Sequence, residues 1–278
     1  MLWKGEAEPV FPPLSAGDWL RVAWRGPLLV VVFLGGFAVL MLLRLIERPL
    51  FGLHRPWTPW IVQFATRSAF SILRIKHRVI GERMRERGAI VANHGSWLDI
   101  FALNARKRVY FVSKAEVAKW PVIGMLARGV GTVFINRNPR EAKAQQEIFE
   151  ARLLAGHKLT FFPEGTSSDG RRVLPFKSTL FQAFFTDDLR PYMYIQPVTL
   201  IYRAPEGEDP RFYGWWGDME FGPHFLRVLA ARRQGSVTLR YHPPLRVAEF
   251  AGRKELAARA EEIVRSGFPE DILALTAG

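Results

Sequence analysis

The longest uncharged segment of the chain lies near its start and predicts a helix in contact with lipid. Residues 27–43 read PLLVVVFLGGFAVLMLL. A helix of this length spans about 25 Å, slightly less than the ~30 Å hydrocarbon layer of a bilayer. A buried core helix is the alternative interpretation. Basic residues flank the segment on both sides and favour lipid over a protein core: Arg21, Arg25, Arg44 and Arg48.

A second apolar helix follows closely. The stretch 57–73, WTPWIVQFATRSAFSIL, has Thr58 in position to cap a helix and Pro59 in the first turn. Its apolar residues recur at helical spacing, and two tryptophans stand at its start, where a membrane interface favours them. We therefore expect residues 18–75 to form a membrane-associated helical pair, which either crosses the bilayer once or is embedded from the cytoplasmic face.

Beyond residue 74, short apolar runs alternate with longer amphipathic ones. This alternation predicts an α/β domain with a mixed, largely parallel sheet flanked by helices. Predicted strands lie at 75–80, 89–92, 109–112, 132–135, 159–162, 196–201 and 236–241, and predicted helices at 96–104, 116–128, 139–155, 178–185 and 254–265. The chain then divides into N-terminal membrane-associated helices (1–75) and an α/β domain (76–278).

The stretch 204–223 is rich in proline, glycine and aromatic residues, and is predicted to be a long loop. It contains Tyr213, Trp215 and Trp216. These aromatic side chains either pack against the domain or form a second contact with the membrane interface, and the sequence leaves both alternatives open.

The composition is strongly basic and contains no cysteine. The chain has 39 Lys and Arg against 26 Asp and Glu, a formal net charge of +13. The missing cysteine excludes disulfides, a cysteine nucleophile and thiolate metal sites. The excess of cations calls for an acidic partner: nucleic acid, an anionic membrane, or a phosphorylated or carrier-bound substrate.

The basic residues are concentrated between residues 101 and 140. This stretch contains one acidic residue, Glu116, and eight basic ones: Arg106, Lys107, Arg108, Lys114, Lys119, Arg128, Arg137 and Arg140. Beside an apolar N-terminal segment, such a block favours contact with anionic lipid. No nucleic-acid-binding motif accompanies it, so we expect no nucleic acid partner. The histidines are too scattered to predict a metal site.

The strongest chemical signal is VANHGSWLDI, residues 91–100. A short strand would deliver His94 to a sharp turn before a helix, and ligand and catalytic groups collect at such strand ends. Ser96 and Asp99 have the spacing of a capping box, which would make His94 a bystander. Alternatively, Asp99 contacts one ring nitrogen of His94 and raises the basicity of the other, which then accepts a proton from a hydroxyl.

Three further blocks follow in a fixed order. They are GTVFINR (131–137), FFPEGTSSDG (161–170) and a strand containing Pro197, which we expect at an edge or strand end. Together with the His-x4-Asp block they resemble the glycerolipid acyltransferase family, the PlsC-like 1-acylglycerol-3-phosphate acyltransferases. The resemblance covers roughly residues 75–205.

The resemblance implies a role for each block. His94 would be the general base and Asp99 its orienting partner, so that no covalent acyl-enzyme is required. The acceptor-binding positions of the family correspond to Arg137, Glu164 and Gly165. Asn93 and Thr166, on the first and third blocks, are further substrate-binding positions. Lys114 matches a lysine that the family often has before its second block, and it would neutralise an anionic head group.

One position departs from the family pattern. Where the family has Glu-Gly-Thr-Arg, this chain has Ser167 in place of the arginine. Arg171, Arg172 or Lys177 could supply the missing charge. Alternatively, the acceptor is not a phosphate ester, since the run EGTSSDGRRVLPFKS is similar to bacterial enzymes that acylate lyso-ornithine lipid.

The resemblance thus implies a membrane-bound enzyme on the cytoplasmic face of the inner (plasma) membrane. It would move a fatty acyl chain from acyl carrier protein or acyl-CoA to a lysolipid hydroxyl, without a bound cofactor. We expect 1-acylglycerol-3-phosphate as acceptor, giving phosphatidic acid. The alternatives are lyso-ornithine lipid as acceptor and, from another class, a non-catalytic basic membrane adaptor.

Overall fold

The computed structural model describes residues 3–5, 7–136 and 142–273. Arg137 and Arg140, named above, therefore lie outside the described residues, as does the start of the helix predicted at 139–155. The described helices are α1 (Ala16–Val30), α2 (Gly36–Phe51), α3 (Thr58–Leu73), α4 (Leu98–Arg106), α5 (Ile123–Val130), α6 (Ala142–Leu154), α7 (Phe221–Ala230), α8 (Arg253–Ser266) and α9 (Glu270–Leu273).

The N-terminal apolar segment belongs to a helix longer than predicted. A π-helical turn, Val31–Gly35, joins α1 to α2, so that the helix runs without interruption from Ala16 to Phe51. In the described part of the chain it is the helix long and apolar enough to cross a membrane. Ser15 and Asp18 form a capping box at its start. Most of its apolar side chains face outward, which supports membrane association over a buried core helix.

The long helix Ala16–Phe51 and α3 form the expected helical pair, here called the hairpin, but the cap of α3 differs from the prediction. The buried carboxylate of Glu47 accepts hydrogen bonds from the amides of Trp57 (2.8 Å) and Thr58 (3.1 Å) and from the Thr58 hydroxyl (2.7 Å). Thr58 therefore does not cap α3, because a carboxylate from the preceding helix satisfies the free amides at its start.

The hairpin is fixed to the α/β domain by polar and apolar contacts. The buried guanidinium of Arg25 donates to the carbonyls of Leu229 (2.6 Å) and Ala231 (2.8 Å), and Arg21 donates to that of Ala230 (2.5 Å). Side chains of the hairpin share one hydrophobic cluster with the central strands: Leu29, Ala69, Phe70 and Leu73. The hairpin and the α/β domain thus share a core.

The sheet is mixed and largely parallel, as predicted. Its strands are β1 (Lys76–Ile80), β2 (Gly88–Ala92), β3 (Tyr110–Lys114), β4 (Val133–Ile135), β5 (Leu159–Phe161), β6 (Tyr194–Arg203), β7 (Ser236–Tyr241) and β8 (Leu245–Arg246). The order is β1-β7-β6-β2-β5-β3-β4, with β8 paired to β6. Pairs of β6 with β7 and β8 are antiparallel, and the other pairs are parallel. Helices cover both faces of the sheet around two main hydrophobic clusters.

The position of Pro197 was predicted wrongly. It lies inside the sheet, opposite Val91 of the parallel neighbour β2. On its other side β6 changes partner, from β8 at Tyr194 and Ile195 to β7 from Val198 onward. A proline is tolerated at this junction because no ladder hydrogen bond requires its missing N–H.

Three other elements differ from the sequence prediction. The helix expected at 116–128 is a 3-10 turn, Ala115–Lys119, followed by α5, because Pro121 interrupts it. The segment Ser178–Phe185 is 3-10 helical rather than α-helical. Part of the loop expected at 204–223 is helical, since α7 begins at Phe221.

The aromatic residues of the 204–220 loop pack against the domain. Tyr213 and Trp216 are buried, and the Tyr213 hydroxyl donates to Gln234 (2.7 Å). Of the two alternatives for this loop, the packed one is correct. The described residues before α1, 3–5 and 7–15, are here called the N-terminal strap. Its Trp3 lies against Trp216, with ring centroids 6.1 Å apart.

Candidate active site

His94 and Asp99 meet at the carboxyl edge of the sheet. Strand β2 ends at Ala92, and α4 begins at Leu98, so a tight turn carries His94 back toward the helix. The ring Nδ1 of His94 lies 2.7 Å from Oδ2 of Asp99. The five-residue spacing therefore brings the two side chains into contact, as the functional interpretation requires.

Four groups hold the buried carboxylate of Asp99. Oδ2 accepts the amides of Gly95 (2.9 Å) and Ser96 (3.0 Å) as well as contacting His94. Oδ1 accepts the hydroxyl of Tyr202 at 2.6 Å. The carboxylate is fully enclosed, so its position is fixed before any substrate binds.

The capping interpretation of this block is partly correct. The Ser96 hydroxyl accepts the Leu98 amide (3.2 Å), and Asp99 accepts the Ser96 amide, so both residues satisfy amides at the start of α4. The same Asp99 oxygen also contacts the imidazole. His94 is therefore not a bystander of the cap.

Tyr202 lies in β6, with its hydroxyl in contact with Asp99. Burial raises its pKa well above the ordinary value, and the neighbouring charge of Asp99 raises it further. The phenol therefore stays protonated and donates to the carboxylate.

The imidazole of His94 is held flat against an aromatic ring. It stacks on Phe162, with centroids 4.1 Å apart and planes 9° from parallel. The side chain is 20% exposed. No described residue hydrogen-bonds its Nε2, so this nitrogen can meet an external hydroxyl. The arrangement can accept a proton from such a hydroxyl while Asp99 stabilises the imidazolium.

Glu164 supports the backbone of the same turn. Its Oε1 accepts the His94 amide at 3.0 Å, and the side chain is buried. Burial raises the pKa of Glu164 well above its ordinary value, and the amides of His94 and Leu174 only partly oppose this. Its other oxygen, Oε2, is buried and makes no hydrogen bond of standard geometry. Glu164 thus anchors the backbone of the turn at His94.

Two loops hold the turn that carries His94 through its backbone. The amide of Ser168, in the loop after β5, donates to the carbonyl of His94 (2.8 Å), and that of Trp215, in the 204–220 loop, donates to the carbonyl of Gly95 (2.9 Å). Gly95 approaches Gly170 so closely that a Cβ at Gly95 would lie 2.5 Å from the Gly170 Cα. The two blocks recognised in the sequence therefore form one structural unit.

The other predicted site residues are placed differently. Asn93 is buried, and its amide bonds Leu200: Nδ2 donates to the carbonyl (3.0 Å), and Oδ1 accepts the N–H (2.8 Å). These bonds join β2 to β6, and a contact of Asn93 with substrate stays a prediction. Lys114 is half-buried at the end of β3, on the same edge of the sheet.

Gly165 and Thr166 lie in the loop that follows β5. Gly165 has a φ of +69°, which favours glycine. The Thr166 hydroxyl accepts the Trp3 amide at 3.3 Å. The N-terminal strap therefore reaches the loop that carries Glu164.

The structure distinguishes two of the three cations that could replace the missing arginine. Arg172 is paired with the buried Asp169 (2.8 Å) and lies over the ring of Trp3. Lys177 is exposed, and its Nζ lies 3.0 Å from the position that a Cβ would take on Gly165. Lys177 is thus the exposed cation above the Glu-Gly-Thr loop.

Two residues of this site, Tyr202 and Phe162, were not predicted as functional residues from the sequence. Tyr202 gave no signal, because its contact with Asp99 depends on how β6 pairs in the sheet. Phe162 was part of a recognised block, but the stacking of its ring on His94 follows only from the fold. Within residues 3–5, 7–136 and 142–273, no group of three or more His, Asp or Glu side chains is arranged to hold a metal ion.

Comparison with known proteins agrees with this geometry. The family model described as Acyltransferase matches residues 76–201. A lyso-ornithine lipid O-acyltransferase of Rhodobacter capsulatus is 56% identical over 267 residues, which cover 96% of each chain. A 1-acyl-sn-glycerol-3-phosphate acyltransferase of Neisseria gonorrhoeae is 45% identical over 96 residues, covering 34% of this chain and 37% of that one.

A solved structure has the same fold. The crystal structure of the 1-acyl-sn-glycerophosphate (LPA) acyltransferase PlsC from Thermotoga maritima aligns with a TM-score of 0.55 and 21% sequence identity. The alignment covers 91% of this chain and 98% of that one. The sheet and its flanking helices are therefore those of a PlsC-like fold.

Proposed function

The chain belongs to the acyltransferase family, and we propose that it transfers a fatty acyl group from a thioester to the hydroxyl of a lyso-ornithine lipid. The choice of acceptor is supported by the 56% identity to a lyso-ornithine lipid O-acyltransferase along nearly the whole of both chains. The resemblance to a 1-acyl-sn-glycerol-3-phosphate acyltransferase is confined to about a third of each chain. The comparisons therefore favour the alternative acceptor over 1-acylglycerol-3-phosphate, the first expectation.

The proposed reaction uses His94 as a general base. Nε2 takes the proton of the acceptor hydroxyl as the oxygen attacks the thioester carbonyl. The tetrahedral intermediate then expels the thiolate, which takes the proton back from Nε2. The products are an ester and a free thiol, and His94 returns to its neutral state without a covalent acyl-enzyme.

Asp99 sustains this step from the opposite side of the ring. Its contact with Nδ1 fixes the tautomer in which Nε2 carries a lone pair, and its charge stabilises the imidazolium formed in the transition state. Tyr202 and the amides of Gly95 and Ser96 hold Asp99 in place. Preorganisation of this kind lowers the barrier because no group has to reorient during proton transfer.

The head group of the proposed acceptor is consistent with a binding site that has one cation fewer than the family pattern. Ornithine carries a carboxylate and an amine rather than a phosphate dianion, so one cation fewer is needed to neutralise it. The family's arginine is replaced by Ser167, and the cation above the loop is Lys177. We assign the acceptor carboxylate to Lys177, with Lys114 as a further contributor at the end of β3. Arg137, outside the described residues, stays a predicted contributor.

Membrane association follows from the same proposal. The outward-facing apolar residues of α1–α3 would hold the enzyme on the cytoplasmic face of the inner membrane, where a lysolipid is reached without leaving the bilayer. The donor would be acyl carrier protein or acyl-CoA, both acidic and therefore attracted by a chain of net charge +13.

The proposal is tested by acyl transfer in detergent micelles. Purified protein is given an acyl-carrier-protein thioester and either lyso-ornithine lipid or lysophosphatidate, and thiol release is measured. We expect release with lyso-ornithine lipid at least tenfold faster. Equal or faster release with lysophosphatidate would overturn the acceptor assignment.

The catalytic assignment has its own control. His94→Ala is expected to abolish thiol release without loss of folding, whereas the same substitution at the exposed His54 leaves the rate unchanged. Full activity of the His94→Ala variant would contradict the general-base role. Absence of thiol release from the unsubstituted protein with either acceptor would favour the adaptor alternative.

A further inference from the structure

The connection between β3 and β4 exposes a cluster of apolar side chains. Lys119, Trp120, Pro121 and Val122 are consecutive exposed residues, and one turn later Met125 is exposed as well. The exposed fractions are 43% for Trp120, 57% for Val122 and 44% for Met125. We call residues 119–125 the α5 tip. Three large apolar side chains in water at one protrusion require an explanation, because isolated exposure is common but clustered exposure marks a contact surface.

The backbone of the tip is shaped to present these side chains. Val122 has φ +59° and ψ −58°, and the amide of Ile123 donates to the carbonyl of Pro121 at 2.5 Å. This is a γ-turn of the rare, strained form. A β-branched residue is costly in this conformation, so the turn is maintained by its surroundings and directs Val122 outward.

The base of the tip is fixed to the N-terminal hairpin. Gly129 lies against the ring of Phe37, so closely that a Cβ would meet it at 2.2 Å. The guanidinium of Arg55 donates to the Gly129 carbonyl at 3.1 Å. The tip is therefore not a free loop, since its orientation relative to α2 is set by packing.

The tip lies at the catalytic edge of the sheet. Strand β3 ends at Lys114 and continues directly into the 3-10 turn Ala115–Lys119 that leads to the tip. Strands β2, β5 and β3 are parallel neighbours, so the end of β3 and the end of β2, which delivers His94, share one edge. A surface in contact with the tip would thus be close to His94.

The charge around the tip indicates the partner. Lys119 and Arg128 are exposed, and no acidic residue occurs between positions 117 and 136. The base of the tip packs on α2 through Gly129 and Phe37, and the long N-terminal helix exposes apolar residues of its own, which include Leu34, Leu42 and Ile46. Glu116, exposed in the 3-10 turn before the tip, is the nearest acidic residue in the sequence. An apolar segment with a tryptophan and an excess of neighbouring cations is complementary to the interface of an anionic bilayer.

We propose that the α5 tip is a second membrane contact, which inserts Trp120, Val122 and Met125 into the interfacial layer of an anionic bilayer beside the helical hairpin. The inference rests on the proposed function, because it places the lipid surface at the edge where His94 acts. A lysolipid would then pass from the bilayer to the site between the hairpin and the tip. The aromatic loop 204–220, the sequence candidate for such a contact, is packed inside the domain instead.

The absence of cysteine from the sequence makes a direct test available. Single-cysteine variants Val122→Cys and Met125→Cys are labelled with bimane in the full chain and reconstituted into phosphatidylglycerol-containing vesicles. Quenching by nitroxide on the lipid chains is compared with quenching by aqueous iodide. Ile46→Cys, in the hairpin, is the positive control, and Ile148→Cys, exposed on α6, is the aqueous control.

We expect lipid nitroxides to quench positions 122 and 125 at least threefold more than position 148, and iodide to show the reverse order. If positions 122 and 125 behave like 148 while 46 is quenched by lipid, the proposal is wrong. Protection from iodide without quenching by lipid would show that a protein covers the tip, and would also overturn it. If iodide rather than lipid nitroxide quenches position 46 as well, the hairpin does not bind the membrane, and both the membrane association and the tip proposal are wrong.

A second measurement separates the tip from the acyl transfer reaction. Thiol release in detergent micelles does not require the bilayer, so Lys119→Glu with Trp120→Ser should keep that rate within twofold. The same variant should lose at least threefold of its rate on vesicle-borne acceptor. An unchanged rate on vesicles overturns the tip proposal, whereas failure of the unsubstituted protein in micelles overturns only the reaction.

Discussion

The hydroxyl of Tyr202 donates a 2.6 Å hydrogen bond to Oδ1 of Asp99, while His94 contacts Oδ2 of the same carboxylate. The pair of residues recognised in the sequence is therefore a chain of three in the structure. Tyr202 touches no reacting atom in this arrangement and acts by positioning Asp99. Its removal should weaken catalysis without altering the binding of lipid.

Tyr202→Phe is expected to lower kcat about tenfold and to leave KM within twofold. The reason is that a buried carboxylate oxygen loses its partner, a change that costs about 1–3 kcal/mol. Tyr213→Phe is the matched control, since it removes a buried hydroxyl bonded to Gln234 rather than to Asp99. Equal kcat losses in the two variants would contradict a positioning role for Tyr202, as would a change confined to KM.

Gly95→Ala is expected to abolish acyl transfer while the protein remains folded. The new Cβ would lie 2.5 Å from the Cα of Gly170, a backbone atom that can move only if the loop carrying Glu164 moves. Gly222→Ala, where a Cβ meets nothing within 4 Å, serves as control and should keep normal activity. Thiol release and circular dichroism together decide the result, and an active Gly95→Ala enzyme would disprove the close packing of the two loops.

Lys177→Gln is expected to raise KM for lyso-ornithine lipid about fivefold with little change in kcat. The amine lies above Gly165, where it can pair with the acceptor carboxylate, and an exposed charge pair contributes up to about 1 kcal/mol. Lys254→Gln, on the exposed side of α8, should change neither constant. Initial rates over a range of acceptor concentration test the assignment, which an unchanged KM would refute.

His157→Phe is expected to reduce the acid sensitivity of the fold. Burial, followed by the charge of Arg152, lowers the pKa of His157 from 6.5 to about 3. Because the unfolded chain binds the proton more tightly, the unsubstituted protein loses stability as the pH falls from 6.5 toward 3, by at most about 1.4 kcal/mol per pH unit. Phenylalanine can keep the stack on Tyr110 and does not titrate.

The measurement is thermal unfolding in detergent between about pH 7 and pH 4. The Tm of the His157→Phe variant should fall less than that of the unsubstituted protein. The exposed His54→Phe variant should follow the unsubstituted curve. Parallel curves for all three proteins would show that His157 is not responsible for the acid sensitivity.

The turn that carries His94 could be predicted from the sequence because it is local. Strand, turn and helix lie within residues 91–100, and the His94–Asp99 contact follows from that short path. The bond from the His94 amide to Glu164 was not predicted, because the two residues lie in separate blocks that only the fold brings together. The Tyr202–Asp99 contact spans more than a hundred residues and depends on the register between β2 and β6, which no local pattern encodes.

The wrong prediction for Pro197 has a physical reason as well. Pro197 was assigned to an edge or a strand end because a missing N–H is costly in a central strand, but the change of partner from β8 to β7 removes that cost. Asn93 was assigned to substrate through the family resemblance, and the structure adds that its side-chain amide bonds Leu200 of β6. Both features depend on how the strands pair, which neighbouring residues alone do not encode.

Arg25 and Arg21 anchor α1 to three consecutive carbonyls at the end of α7. In the proposed membrane-bound state, these bonds tie the lipid-facing helix directly to the domain that carries His94. The height of the imidazole above the bilayer midplane would then be set by folding, so that an acceptor would rise by a constant distance to react. We therefore expect the rate of acyl transfer to depend on the thickness of the membrane.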